Sequence, residues 1–181
     1  MPTQESVQVA IVADTHGFLD PRVAARVGRC EYAVHAGDVG CAAVLEAMRP
    51  LEGLLAVYGN NDLPAKWPPG EAGLLSRLPA EASLELPGGV LSVVHGDRVG
   101  PVAQRHTRLR QVFPQARAIV YGHSHRLICD LEQRPWVLNP GAAGRARTYG
   151  GPSCIILTAS DRRWQVESIR FACAVPGKNC E

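Results

Sequence analysis

The sequence predicts an α/β fold in which two packed mixed β-sheets are flanked by helices, and three observations carry that expectation. Short β-branched runs alternate with amphipathic helical stretches through the first third of the chain, a pattern that favours parallel pairing. The last third carries several strand-like runs and no strong helix, which reads as a second sheet sharing the core of the first. With 181 residues and 46% hydrophobic content the chain can bury a substantial core without staples, so a single domain is expected over residues 1–181.

Val7 to Ala13 (VQVAIVA) is a β-branched run ending at Asp14, which reads as a buried strand stopping at a polar loop. Asp20-Pro21 opens a helix to about Arg29. The aspartate caps free N–H groups, the proline suits the first helical position, and Val23, Ala24 and Val27 form the apolar stripe. A strand at Tyr32 to Ala36 follows, then a helix from about Cys41 to Met48 stopped by Pro50, then a strand at Leu54 to Tyr58. Leu63 to Glu81 is rich in proline and glycine without a clear period, which predicts a long functional loop pinned by Trp67. Strands at Ala82 to Leu86 and Val90 to His95 flank Pro87-Gly88-Gly89, a hairpin signal. A helix over Pro101 to Phe113 would turn Val102, Leu109, Val112 and Phe113 inward and leave Arg105, Arg108, Arg110 and His106 toward water. Strands are expected at Arg117 to Tyr121, Leu127 to Leu131, Trp136 to Leu138, Ser153 to Ala159 and Trp164 to Phe171, with Trp136 and Trp164 as core aromatics. Val175 to Glu181 reads as a flexible tail.

Lys plus Arg number 19 against 17 Asp plus Glu, a formal charge of +2 that provides no broad positive field. Near-neutral charge without a basic-aromatic track argues against nucleic acid as partner. No stretch approaches the length of a membrane span and the polar start from Met1 to Val7 lacks the pattern of a secretory signal, so a cytoplasmic protein without membrane association is expected. The six cysteines are widely spaced and none forms C-x-x-C, which predicts reduced thiols that pack as small buried hydrophobes, with Cys180 exposed in the tail. Oligomeric state is not legible in this pattern.

Strand after strand gives out into Gly, Asp, Asn or His, and this repetition carries the functional reading. The endings are Asp14-Thr15-His16, Gly37-Asp38, Gly59-Asn60-Asn61-Asp62, His95-Gly96-Asp97 and Gly122-His123-Ser124-His125. In open α/β sheets ligands bind beyond the carboxyl ends of the strands, so these clusters should converge on one edge. Residues two apart in extended chain point the same way, which lets Asp14 with His16, and His123 with His125, each present two donors to one centre. Oxygen and imidazole nitrogen without cysteine suits manganese, iron, cobalt, nickel or zinc better than magnesium or calcium.

In this order the endings resemble the calcineurin-like metallophosphoesterase superfamily, whose motifs run D-x-H, G-D, G-N-[HC]-[DE], H-G and G-H-x-H, with Asn61 departing from the third. The resemblance runs from Val7 to about Ala159 and is strongest to its small bacterial and archaeal phosphodiesterase branch, because of the short chain and Leu138-Asn139-Pro140-Gly141. It implies two divalent cations, manganese first. One would be held by Asp14, His16, Asp38 and His125, the other by Asp38, Asn60, His95 and His123, with Asp38 bridging. It further implies an αββα sandwich and hydrolysis of a small phosphorylated molecule, preferentially a phosphodiester, by hydroxide shared between the ions. Asp62 and His35 are expected to orient ligands by hydrogen bonds, and Asp97 either to orient His95 or to add negative charge. Arg145 and Arg147 are candidates for a substrate phosphate oxygen.

One departure bears on catalysis. Phosphatase members carry histidine after the metal-binding asparagine, where it protonates the leaving oxygen; this chain has Asn61, which is no general acid near neutral pH. A rival reading is a catalytically weak metal-binding scaffold, as in the retromer subunit that resembles the superfamily.

Overall fold

The computed structural model describes residues 6–173, so the expected tail at Val175 to Glu181 lies outside the described residues. Strand β1 (Val7–Val12) is apolar on both faces for a visible reason. Val9 and Ile11 point into the space between two sheets while Ala10 and Val12 point toward helices, and all four are fully buried. Helix α1 (Pro21–Val27) begins where Asp20 accepts the Arg22 N–H and ends at Val27, two residues before the expected end, with Gly28 as its C-cap. Strand β2 (Tyr32–Ala36), helix α2 (Ala42–Ala47) and strand β3 (Gly53–Val57) complete a parallel βαβαβ unit.

The stretch read as a long loop contains a one-turn helix, α3 (Ala72–Leu75), and is anchored by Trp67, which is buried. Strands β4 (Glu81–Leu86) and β5 (Gly89–Val94) form the expected hairpin. A 3-10 turn at Val102–Gln104 then leads into α4 (Arg105–Val112). The expected inward face is corrected here. Val102 and Val112 are exposed, at 76% and 58%, whereas Arg105 is buried at 6%. The change from 3-10 to α geometry breaks the single helical period on which the expectation rested. Leu109 is the fully buried apolar anchor of α4 and packs against Ile119, Tyr121 and Val137.

Strands β6 (Ala118–Val120), β7 (Leu127–Asp130), β8 (Trp136–Pro140), β9 (Ser153–Ala159) and β10 (Trp164–Arg170) follow. They divide between the sheets instead of forming one of their own. The first sheet runs β10-β9-β1-β2-β3 and the second β4-β5-β6-β8-β7. Strand β9 pairs antiparallel with the otherwise open edge of β1, so the chain returns to cover that edge. Both sheets are mixed. Their inner faces share one core, including Val9, Ile11, Val34 and Ile155 from the first and Leu91, Val93, Val120 and Leu138 from the second. Helices α1 and α2 cover the outer face of the first sheet and α4 that of the second. The two-sheet sandwich with helices outside is therefore present, with strand membership redrawn.

Trp164 is buried and donates to Pro87 O (2.8 Å), while Trp136 is half-buried against the shared core. Cys30, Cys41, Cys129 and Cys154 are free thiols, but Cys173 is disulfide-bonded, a correction to the expectation that all cysteines are reduced. Separation along the chain does not report which sulfurs meet in space. Among the described residues no helix is long and apolar enough to cross a membrane.

Candidate metal centre

The parallel strands β1, β2 and β3 end on the same side, as do β5 and β6 of the facing sheet, and all five polar endings meet at this common edge. Backbone hydrogen bonds lace them together. Asp14 N–H donates to Gly37 O (3.0 Å), His16 N–H to Asp38 O (2.9 Å) and Gly122 N–H to His95 O (3.0 Å). The two sheets are joined where His123 N–H donates to Asp14 Oδ1 at 3.1 Å.

Among the described residues seven other than glycine have positive φ, and five of them are Asp14 (53°), His16 (47°), Asp38 (55°), His123 (65°) and His125 (57°). A sixth is Arg147 at 50°. Left-handed backbone is costly for residues with a Cβ and clusters where a site over-determines it. Here the turn reverses the chain so that each strand end aims its side chain back at the centre. Gly59 serves the same packing by lacking a Cβ, which would run into the backbone and carboxylate of Asp38.

Asp14, His16, Asp38 and His125 each offer one donor atom, all within 4.8 Å of one another. His16 Nε2 and His125 Nε2 face each other at 3.2 Å, and each lies 3.7 Å from a carboxylate oxygen, of Asp38 and Asp14 respectively. A second group adjoins it through Asp38. His95 Nε2 lies 3.5 Å from Asp38 Oδ2 and 3.1 Å from Asn60 Oδ1, which is also 3.0 Å from His123 Nδ1. His95 Nδ1 donates to Ala36 O (2.8 Å), which leaves Nε2 turned toward this group.

These donors fit a divalent cation on the structure's own terms. Asp14 is fully buried, yet its Oδ2 has no hydrogen-bond partner, and burial pushes its carboxyl up to about 7. Burial pushes the His125 imidazole down to about 4, with the Arg147 charge adding to the effect, and lowers His16 and His123 as well. Three neutral imidazoles and a carboxylate oxygen without a partner make a nest of lone pairs. Asp38 behaves differently: burial would raise it, but hydrogen bonds from His95 and Asn61 hold it below the usual carboxylate range. His95, conversely, is raised to about 9 because Asp38 and Asp14 outweigh its desolvation.

Further hydrogen bonds hold these candidate ligands in place. Asp62 receives four hydrogen bonds, from Val39 N (3.0 Å), Gly40 N (2.9 Å), Gly59 N (2.8 Å) and Trp67 Nε1 (3.0 Å). Its carboxylate is spent on clamping the Gly37-Asp38 and Gly59-Asn60 loops, so it positions ligands and does not itself face the cluster. His35 Nδ1 accepts from Gly37 N–H (3.2 Å), so its Nε2 carries the proton and donates to Thr15 Oγ1 (2.8 Å). Asn61 turns its amide onto Asp38 Oδ2 and its N–H onto Asp38 Oδ1, both at 2.8 Å. Asp97 does not orient His95, whose Nδ1 is taken by Ala36; it lies 3.6 Å from Arg98 Nε and adds negative charge on the His123 side.

The two arginines part company. Both are exposed, but Arg147 Nη2 reaches to 3.2 Å from His125 Nε2 at the edge of the cluster, whereas Arg145 stacks over the Phe18 ring at 3.5 Å. His106, expected at the surface, is half-buried between Asp130 Oδ2 (2.8 Å) and Tyr121 Oη (3.0 Å), a correction that follows from the rotated face of α4.

Two supporting residues escaped the sequence reading as participants. Asn139, fully buried, donates through Nδ2 to Gly122 O (2.8 Å) and Ser124 Oγ (3.0 Å) and accepts from Gly141 N–H (2.9 Å), which fixes the Gly122-His123-Ser124-His125 turn. Its Leu-Asn-Pro-Gly context was visible, its target was not. Lys66 Nζ donates to Asn61 Oδ1 at 2.6 Å, and it is the sole lysine among the described residues. That rarity is the signal by which it could have been found.

Residues 7–162 match the Calcineurin-like phosphoesterase superfamily domain, and the chain belongs to that family. It is 26% identical over 141 residues to a probable metallophosphoesterase of Methanocaldococcus jannaschii, covering 74% of this chain and 67% of that one. Two solved structures share its fold. A Vps29 single mutant from Entamoeba histolytica superposes with a TM-score of 0.69 at 19% identity, covering 91% of this chain and 99% of that one. An archaeal phosphodiesterase superposes with a TM-score of 0.66 at 22% identity, covering 90% and 99%.

Proposed function

We propose that the protein is a metal-dependent phosphodiesterase acting on a small phosphorylated substrate, with two divalent cations as cofactor. The observation that carries this reading is the meeting of seven donor residues from both sheets at one edge, with Asp38 shared between the two groups. Asp14, His16, Asp38 and His125 would hold one cation, and Asp38, Asn60, His95 and His123 the other. Manganese is the first choice for this mixed oxygen and nitrogen set. When bound, such a pair supplies Lewis acidity toward a phosphate oxygen and a nucleophile at neutral pH.

The chain's own residues set the limits of the reaction. Arg147, beside His125, places a guanidinium where a substrate phosphate oxygen needs a donor. Asn61 has its amide committed to Asp38 and supplies no proton to a leaving oxygen. Lys66, held at Asn61 Oδ1, supplies positive charge at the exposed mouth, toward which a departing oxyanion would move. The reading therefore favours activated phenolic phosphodiesters over esters of basic alcohols.

The test is a chelated protein reconstituted with manganese, nickel, cobalt, zinc or magnesium and assayed on a nitrophenyl phosphodiester and the matching monoester. Metal-dependent diester turnover is expected, abolished in Asp38→Asn with the circular dichroism spectrum unchanged. Retained turnover in Asp38→Asn refutes the bridging role. Stoichiometric metal without hydrolysis of any ester would instead favour the scaffold reading, which the shared fold with Vps29 keeps in view.

A further inference from the structure

A cavity of about 500 Å³ opens beside the metal-ligand cluster and is lined by Arg105, His106, Tyr121, His123, Ser124 and Arg126 among others. His123 belongs to both places, since its Nδ1 lies 3.0 Å from Asn60 Oδ1 while its ring forms a wall of the cavity. Arg105 is the unexpected member. It is buried to 6% exposure at the start of α4, and its Nε is inaccessible and without a hydrogen-bond partner.

Among the described residues no carboxylate forms an ion pair with Arg105. Asp130, the acid bonded to His106, is already engaged by His106 Nδ1 and Arg110 Nη2, each at 2.8 Å. The Tyr121 ring lies 5.8 Å from the Arg105 guanidinium, and the positive charge of Arg105 also bears on His123. An arginine this buried whose Nε meets neither water nor an acceptor carries an uncompensated desolvation cost, which an oxyanion ligand in the cavity would offset. Arg126, exposed at the rim with its guanidinium 4.7 Å from the Tyr149 ring, adds a second positive charge.

We propose that this cavity is an anion subsite, built around Arg105, that binds a second oxyanion of the substrate next to the metal centre. This rests on the phosphodiesterase reading and narrows its substrate class: a phosphodiester whose other arm ends in a phosphate or a carboxylate. A planar guanidinium in a desolvated wall suits either group, because both present paired oxygens to paired N–H donors. Arg105 here is a specificity residue and takes no part in breaking the ester bond.

Two measurements test it, the first without turnover. Metal-free, chelator-treated protein is titrated calorimetrically with inorganic phosphate and with acetate. At least one should bind, and Arg105→Gln should weaken that binding about tenfold or more, as the loss of a charge-assisted hydrogen bond requires. Binding of phosphate alone or acetate alone assigns the group. Arg126→Gln, at an exposed position that does not bear on folding, should weaken it in the same direction by less. Absence of binding to the wild type, or equal binding by wild type and both variants, overturns the subsite. The second measurement compares a metal-loaded enzyme on bis(p-nitrophenyl) phosphate and on a p-nitrophenyl diester whose second arm carries a phosphate or carboxylate. Arg105→Gln should raise KM about tenfold for the charged arm only, with kcat for both substrates preserved. An equal rise for both substrates refutes the proposal. Hydrolysis of neither diester by the wild type counts against the phosphodiesterase reading, and the calorimetric result then stands alone for the subsite.

Discussion

Asp62 is a carboxylate consumed by structure. Its four donors come from three backbone N–H groups and one indole, and all of them lie in the loops that carry Asp38 and Asn60. Asp62→Ala would leave those donors buried and unmet, at about 1–3 kcal/mol each if unrelieved. Urea denaturation should show a loss of several kcal/mol together with weakened metal binding; an unchanged midpoint would contradict the clamp. Asn61 supports a gain-of-function prediction. Its side chain already reaches Asp38 at 2.8 Å, so Asn61→His places an acid at the cluster's mouth. Turnover of esters with basic alcohol leaving groups should rise about 100-fold relative to nitrophenyl esters, the low end of what a general acid contributes. A constant ratio between the two substrates would show that the missing histidine is not the limit.

At the scale of elements, the turn after β6 depends on the end of β8. Asn139 holds Gly122 O and Ser124 Oγ with one amide group while its own carbonyl is tied to Gly141 N–H. Asn139→Ala should leave both sheets folded but let His123 and His125 wander, weakening metal affinity about 10–100-fold, as loss of outer-shell support does. Competition against a fluorescent chelator reads this directly, and wild-type affinity would refute the role. Helix α4 rests on a narrow footing, with Leu109 its fully buried apolar residue. Leu109→Ala should cost about 2–5 kcal/mol in denaturant unfolding. A cost below about 1 kcal/mol would mean that the helix contributes little to the outer face of the second sheet.

Across the whole molecule, the candidate ligand cluster would double as a clasp between sheets once a cation is bound. Asp14, His16, Asp38 and Asn60 extend from the first sheet, and His95, His123 and His125 from the second. A cation bound there would resist separation of the layers. Saturating metal at about 100 times its dissociation constant should stabilise the fold by about 2.7 kcal/mol. Calorimetric scans should therefore show a Tm that rises with added manganese and falls with chelator, and Asp38→Asn should lose that response. A Tm independent of metal in the wild type would remove the clasp.

What the chain determined by itself was the local order. β-branched runs, helix caps such as Asp20-Pro21 and the polar strand endings are short-range patterns, and they located nearly every strand and every residue that meets at the candidate centre. The tertiary structure decided how those pieces face one another. Strands β9 and β10 joined the first sheet because β1 had an edge to cover, a competition that local pattern cannot express. The break between the 3-10 turn and α4 rotated Arg105 and His106 inward, against a reading that assumed one continuous helix. The left-handed turns at Asp14, His16, Asp38, His123 and His125 are only weakly announced by residue type, since Asp and His adopt positive φ more often than most residues but usually do not. Hydrophobic period and capping act over a few residues, while edge pairing, burial of a charge and backbone strain are set by contacts between distant segments, which is why these alone needed the folded chain.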